Sequence, residues 1–126
     1  MTFTDGAPVD AEAAKLSLEA FRDGAGPVSE RLAGITMEAV DDLTLVLSMA
    51  QPEPALLFHL SEAGGALVSP ASLNSPTKET EPVGSGPYVL NLQDSVTGSK
   101  LVYERNPDYW NPVSYTHLTL PTILRV

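Results

Sequence analysis

The apolar positions of this chain change their period several times, and each change marks an element. Ala11, Ala14, Leu18 and Phe21 recur at the spacing of one helical face and predict a helix over Ala11–Arg22. Asp10 stands where an N-cap carboxylate accepts from the first free N–H groups. Asp23-Gly24 and Gly26-Pro27 stop the helix. Upstream, Asp5-Gly6 makes Phe3–Pro8 a strand end followed by a turn. Downstream the period drops to that of a strand. Ile35, Met37 and Ala39 alternate with Thr36 and Glu38, and Asp41-Asp42 turns the chain. Leu43, Leu45, Leu47 and Met49 then alternate with Thr44, Val46 and Ser48. Alternation on both sides of a short polar break predicts a half-buried hairpin. Gln51-Pro52-Glu53-Pro54 ends it, because proline has no N–H for the ladder.

Ala55–Leu60 reads as a short helix opened by Pro54, and Gly64-Gly65 breaks it. Ala66–Leu73 reads as a brief extended piece around Ser69-Pro70, and the polar Asn74–Glu81 as a surface loop. Tyr88–Leu92 and Lys100–Arg105 form a second strand pair across an Asp94–Gly98 turn. There is no internal repeat and no low-complexity run. These elements predict an α+β fold of β-hairpins and short helices.

Composition narrows the partners. A chain of 126 residues, 43% hydrophobic and 18% charged, holds a globular domain with a modest core. Its net charge is −9, and its seven basic residues are scattered from Lys15 to Arg125. Nucleic acid and anionic membrane surfaces need clustered Lys or Arg, so neither is expected as a partner. The acidity speaks first for solubility, and a monomer is expected. Without Cys there is no disulfide, thiolate nucleophile or Cys-based zinc site. No apolar run approaches the ~20 residues that span a bilayer. Met1–Gly6 lacks the basic and apolar regions of a signal peptide.

Signals for catalysis are thin. In Gly84-Ser85-Gly86 the glycines flank the serine directly, unlike a nucleophile elbow. The same stretch lacks the third glycine and the lysine of a phosphate cradle. His59 lies on the apolar Ala55–Leu60 helix, where a lone histidine is more often packed than a ligand. Asp41-Asp42 and the Glu79/Glu81 pair offer too few oxygens for calcium and read as solvated turns. No enzyme activity, cofactor or metal is expected.

Two strings are more distinctive. Pro82–Leu90 reads PVGSGPYVL, and Glu104–Pro112 reads ERNPDYWNP. Together with Phe3–Val9 leading into Lys15-Leu16-Ser17, Val40–Leu45, Gln51–Leu57 and Leu67–Pro70, they make six ordered segments. In this order they resemble the bacterial extracellular solute-binding proteins of family 5, the oligopeptide, dipeptide and nickel receptors of ABC importers. At two places the match departs: Asp10 replaces the usual Thr or Ser cap, and Ala13-Ala14 replaces Asp-Val.

The resemblance implies that residues 1–112 are part of the N-terminal lobe of a two-lobed, class II periplasmic-binding-protein-like fold. It implies a peptide or other small solute as ligand and the permease subunits of an importer as partners. It implies a periplasmic or lipid-anchored location for the full-length protein, with the signal peptide absent from this stretch. By position, Ser61–Gly65 is the loop that reaches the interlobe cleft in the family, so Ala63, Gly64 and Gly65 are the ligand-side residues. Some relatives carry an Arg there that could hold a carboxylate, and this chain does not. Gly64 and Gly65 offer backbone N–H groups or room, or simply connect a helix to a strand.

The family strings themselves read as fold-forming corners. Gly84 and Gly86 are expected to admit a turn that a side chain would block. Pro87 sets the entry of Tyr88 into its strand, and Asn106-Pro107 forces a turn. Tyr109 and Trp110 are expected to pack back as an apolar plug. Residues 113–126 do not follow the family. They are similar to a string found at the ends of unrelated shotgun-derived genes, where it comes from translated adapter sequence, and are expected to be non-native. The alternation of Leu118 and Leu120 with His117 and Thr119 also fits an edge strand. Two other readings stay open on the residues alone: a freestanding α+β interaction domain, and a hydrolase whose nucleophile and base go unrecognised.

Overall fold

The computed structural model describes residues 1–24 and 29–111, and the backbone of Ile123–Leu124. Helix α1 spans Ala11–Arg22, and Asp10 caps it by accepting from the Ala13 N–H at 2.8 Å. The Ala11 N–H, another donor without a partner inside the helix, reaches the Asp42 carbonyl at 2.9 Å. That bond ties the start of α1 to the turn of the first hairpin. The C-cap is Asp23; the Gly26-Pro27 stop lies outside the described residues.

The first hairpin is β1 (Thr36–Asp41) against β2 (Thr44–Ser48), antiparallel, with a register shift between Ala39 and Asp41. Its inner face joins the core. Leu18, Leu32, Ile35 and Met37 are buried together, with Phe21, Leu45, Leu47, Met49, Leu56 and Leu60 packed around them. Each such side chain contributes about 1.5–3 kcal/mol when fully buried. Leu32 comes from a 3-10 turn, Ser29–Leu32, that follows α1. Leu43 departs from the predicted alternation and is 89% exposed. It sits in the hairpin turn, where its N–H donates to the Asp41 carboxylate at 2.9 Å, so it never joins the ladder.

Helix α2 (Leu56–Ser61) starts two residues after Pro54 and leads into a 3-10 turn, Ala63–Gly65. The segment predicted as extended differs beyond Ser69: α3 spans Pro70–Leu73. Proline suits the first turn of a helix because its missing N–H has no partner there anyway. The Ser69 carbonyl accepts from Ser72 and Leu73, which starts the turn.

The second sheet has the order β3-β4-β5, all antiparallel neighbours. β3 (Tyr88–Val96) runs longer than predicted, because Asp94 is inside the strand and not at its turn. The Asp94 N–H donates to the Asn91 side chain, and the Ser95 hydroxyl donates to the Asn91 carbonyl while accepting from the Val102 N–H. Side chains thus carry the pairing across a register shift between Asn91 and Val96. The turn falls at Gly98, whose φ of 77° suits glycine. β4 is Lys100–Arg105, and β5 is the pair Ile123–Leu124 opposite Leu101 and Val102. Apart from that pair's backbone, the tail of residues 113–126 lies outside the described residues, as does the Leu118–Leu120 edge strand.

Candidate functional site

The two family strings meet through one buried side chain. Asn106 is 5% exposed. Its backbone N–H donates to the Pro87 carbonyl at 2.8 Å, and its Nδ2 donates to the Gly86 carbonyl at 2.9 Å. Its Oδ1 accepts from the Asp108 N–H at 3.0 Å, and its carbonyl accepts from Tyr109. Asparagine has a donor and an acceptor on one short amide, so it can clamp one strand end and close the next turn at once. Pro107 and Asp108 form that turn, as expected.

Two expectations for these strings are corrected. A Cβ added at Gly84 or Gly86 meets nothing within 4 Å, and neither glycine has a positive φ. What fixes this strip is backbone bonding: the Gly84 carbonyl accepts from Thr4 and the Gly86 carbonyl from Asn106. Nor do the aromatics form a plug. Tyr109 is half-buried, and Trp110 is 63% exposed, with ring centroids 5.7 Å apart. Among the ring contacts of the described residues, the indole has Tyr109 beside it. Pro87 and Tyr88 are half-buried at the start of β3.

The Ala63–Gly65 turn lies elsewhere, packed on α1 and the end of α2. Here space requires glycine at position 65 and leaves little room for a side chain at 64. A Cβ at Gly65 would sit 1.7 Å from the Leu60 carbonyl oxygen, and one at Gly64 3.2 Å from the Phe21 ring. The Gly65 N–H donates to the Glu62 carbonyl, so it is already engaged. Gly64 is buried and Ala63 is exposed. Arg31 holds the Glu62 carboxylate beside this turn in an ion pair.

A third junction joins two of the six family segments, Phe3–Val9 and Leu67–Pro70, whose contact the sequence did not announce. Ser69 is fully buried, and its hydroxyl donates to the Asp5 carboxylate. Its N–H donates to the Val83 carbonyl at 2.9 Å. The bond from Ser69, then that from the Ala7 N–H, holds the Asp5 carboxyl below its ordinary value of 3.8. Close by, the Ser17 hydroxyl donates to the Val68 carbonyl and accepts from the Val68 N–H. The hydroxyls of Ser17, Ser69 and Ser95 are therefore spent on structure.

His59 is half-buried on α2, its ring edge-on to Phe58 and its Nδ1 buried without a hydrogen-bond partner. Among the described residues no three His, Asp or Glu side chains converge as metal ligands would, and no helix is long and apolar enough to cross a membrane. What the arrangement offers is a set of packed corners and exposed turns.

The family model of the bacterial extracellular solute-binding proteins, family 5 (middle region), matches residues 1–123. This chain belongs to that family. The probable D,D-dipeptide-binding periplasmic protein DdpA of Escherichia coli K12 is 32% identical over 115 residues, which is 85% of this chain and 22% of DdpA. The glutathione-binding protein GsiB of Escherichia coli O6:K15:H31 is 33% identical over 120 residues, 87% of this chain and 22% of its own length. Among solved structures, a nickel ABC transporter protein from Bacillus halodurans superposes with a TM-score of 0.73 at 32% identity, over 86% of this chain and 22% of that one. The binding protein AgaA from A. tumefaciens R10, solved with agropinic acid, gives 0.78 at 27% identity, over 88% and 23%. The chain thus spans about a fifth of the length of these relatives, and its α+β fold is that of the corresponding part of theirs.

Proposed function

We propose that this chain is part of the N-terminal lobe of an extracytoplasmic receptor that captures peptides or similar small solutes and hands them to an ABC importer. The observation that carries the reading is the family match over residues 1–123, joined to the fold likeness with the nickel and agropinic acid proteins. Such a receptor works by closing two lobes on its ligand, with no covalent chemistry. Its partners are the solute and the permease subunits, and it is monomeric. Its place is the periplasm or, through a lipid anchor, the outer face of the membrane.

Within that reading, the Ala63–Gly65 turn faces the cleft and contributes shape rather than charge, since Gly64 and Gly65 are set by packing against Phe21 and Leu60. Asn106 and its partners Gly86 and Pro87 are structural. Residues 1–112 belong to the lobe on this reading; residues 113–126 are read as non-native, although the family match runs on to residue 123. Sequencing the source locus on both sides of this reading frame tests the receptor reading and the origin of the tail. A frame that runs on for several hundred codons past Pro112 without the tail supports the receptor. A locus that encodes the tail and then stops overturns it.

A further inference from the structure

Among the described residues, the buried apolar side chains all lie between Phe3 and Met37. The β3–β4 hairpin has none: every residue of Tyr88–Val96 and Lys100–Arg105 is half-buried or exposed. The main contacts of β3 and β4 are with each other and, for β4, with β5. A hairpin extended only by the two residues of β5 is marginal in water unless an apolar face is packed against something.

One face of this hairpin is nonetheless built for cover. Leu90 pairs with Tyr103 across the ladder, and Leu101 lies two residues from Tyr103 on the same side. With Pro82 they floor a groove of about 300 Å³, with Glu79 and Lys100 also among its lining residues. We infer that this face is a docking surface for another segment of the same polypeptide, beyond these 126 residues, which lays aliphatic or aromatic side chains into the groove. The inference rests on the reading of the chain as part of a longer receptor. Two facts favour that occupant. The relatives carry more than four-fifths of their chain outside the matched span, since the match covers 22% of each. A net charge of −9 opposes the alternative occupant, a second copy of this chain.

Amide hydrogen exchange separates the outcomes. It is measured on this chain alone and on a chimera in which residues 1–111 replace the matching span of the Escherichia coli glutathione-binding relative. In the chain alone, β3–β4 amides exchange fast while α1 and β1 are protected. In the chimera the hairpin amides slow by about 100-fold. Leu90→Asp with Tyr103→Asp removes that protection, whereas the exposed control Gln93→Glu keeps it. Equal hairpin exchange in chain and chimera overturns the docking surface alone. Hairpin protection in the chain alone overturns it too, and sedimentation then shows whether a second copy is the cover. A chimera that fails to fold, while this chain folds, overturns the receptor reading and the docking surface with it.

Discussion

Asn106 does more than any other side chain to join distant parts of the second half. Asn106→Ala strands the Gly86 carbonyl and the Asp108 N–H in a half-buried site. The expected cost is about 1–3 kcal/mol, read from the urea midpoint. The glycines give a sharper contrast. Gly65→Ala drives a methyl into the Leu60 carbonyl and destabilises the chain, while Gly84→Ala and Gly86→Ala leave its thermal midpoint within a few degrees of the parent. Equal losses at all three would refute the spatial argument. Asp5 carries a pH signature. Its folded carboxyl lies below the ordinary 3.8, through the Ser69 hydroxyl and then the Ala7 N–H. A depressed carboxylate stabilises the fold fully above its unfolded value, and the benefit is lost as pH falls through the folded value. The stability gap between parent and Asp5→Asn is therefore constant near neutrality and closes below about pH 4. A gap that does not change with pH removes the carboxylate from the account.

Among elements, those with a clear period were legible in the sequence. α1 has its cap at Asp10 and its bounds as read, because helical spacing and capping agree there. The first hairpin followed its alternation except at Leu43, which a turn bond to Asp41 holds in solvent. Elements set by local hydrogen bonding were not legible. α3 hides behind Ser69-Pro70, which reads as extended until the Ser69 carbonyl is seen accepting two N–H groups. β3 continues through Asp94 because Asn91 and Ser95 supply bonds that no periodicity announces. The site was legible as a list of motif residues and less so as geometry. Asn106 closes a turn at its motif, but Gly84 and Gly86 are not required by space and Trp110 is exposed. At this scale the 3-10 turn after α1 is the element to test. Leu32→Ala empties the centre of the small core and is expected to cost about 2–5 kcal/mol in chemical denaturation.

For the whole molecule, the division of labour is between a packed first part and a second sheet tied on by backbone bonds at Val83 and Gly84. On the proposed reading this chain is part of one lobe, and a second lobe supplies the opposing wall for a ligand. Calorimetry with a dipeptide and with glutathione is expected to give no heat above dilution; micromolar binding by the chain alone would mean that closure of two lobes is not how it works. The junction at Ser69 has a further consequence, for the order in which the polypeptide becomes structured. Asp5 and Ser69 are 64 positions apart, and Thr4 bonds to Gly84, farther still. Closing so long a loop is a slow, entropically opposed event. On a ribosome, the turn at Thr4 and Asp5 can close on its own local bonds, but it waits for Ser69 and then Gly84 to be made before it is anchored. Until then this segment is without the two long-range bonds that fasten it to the rest of the fold.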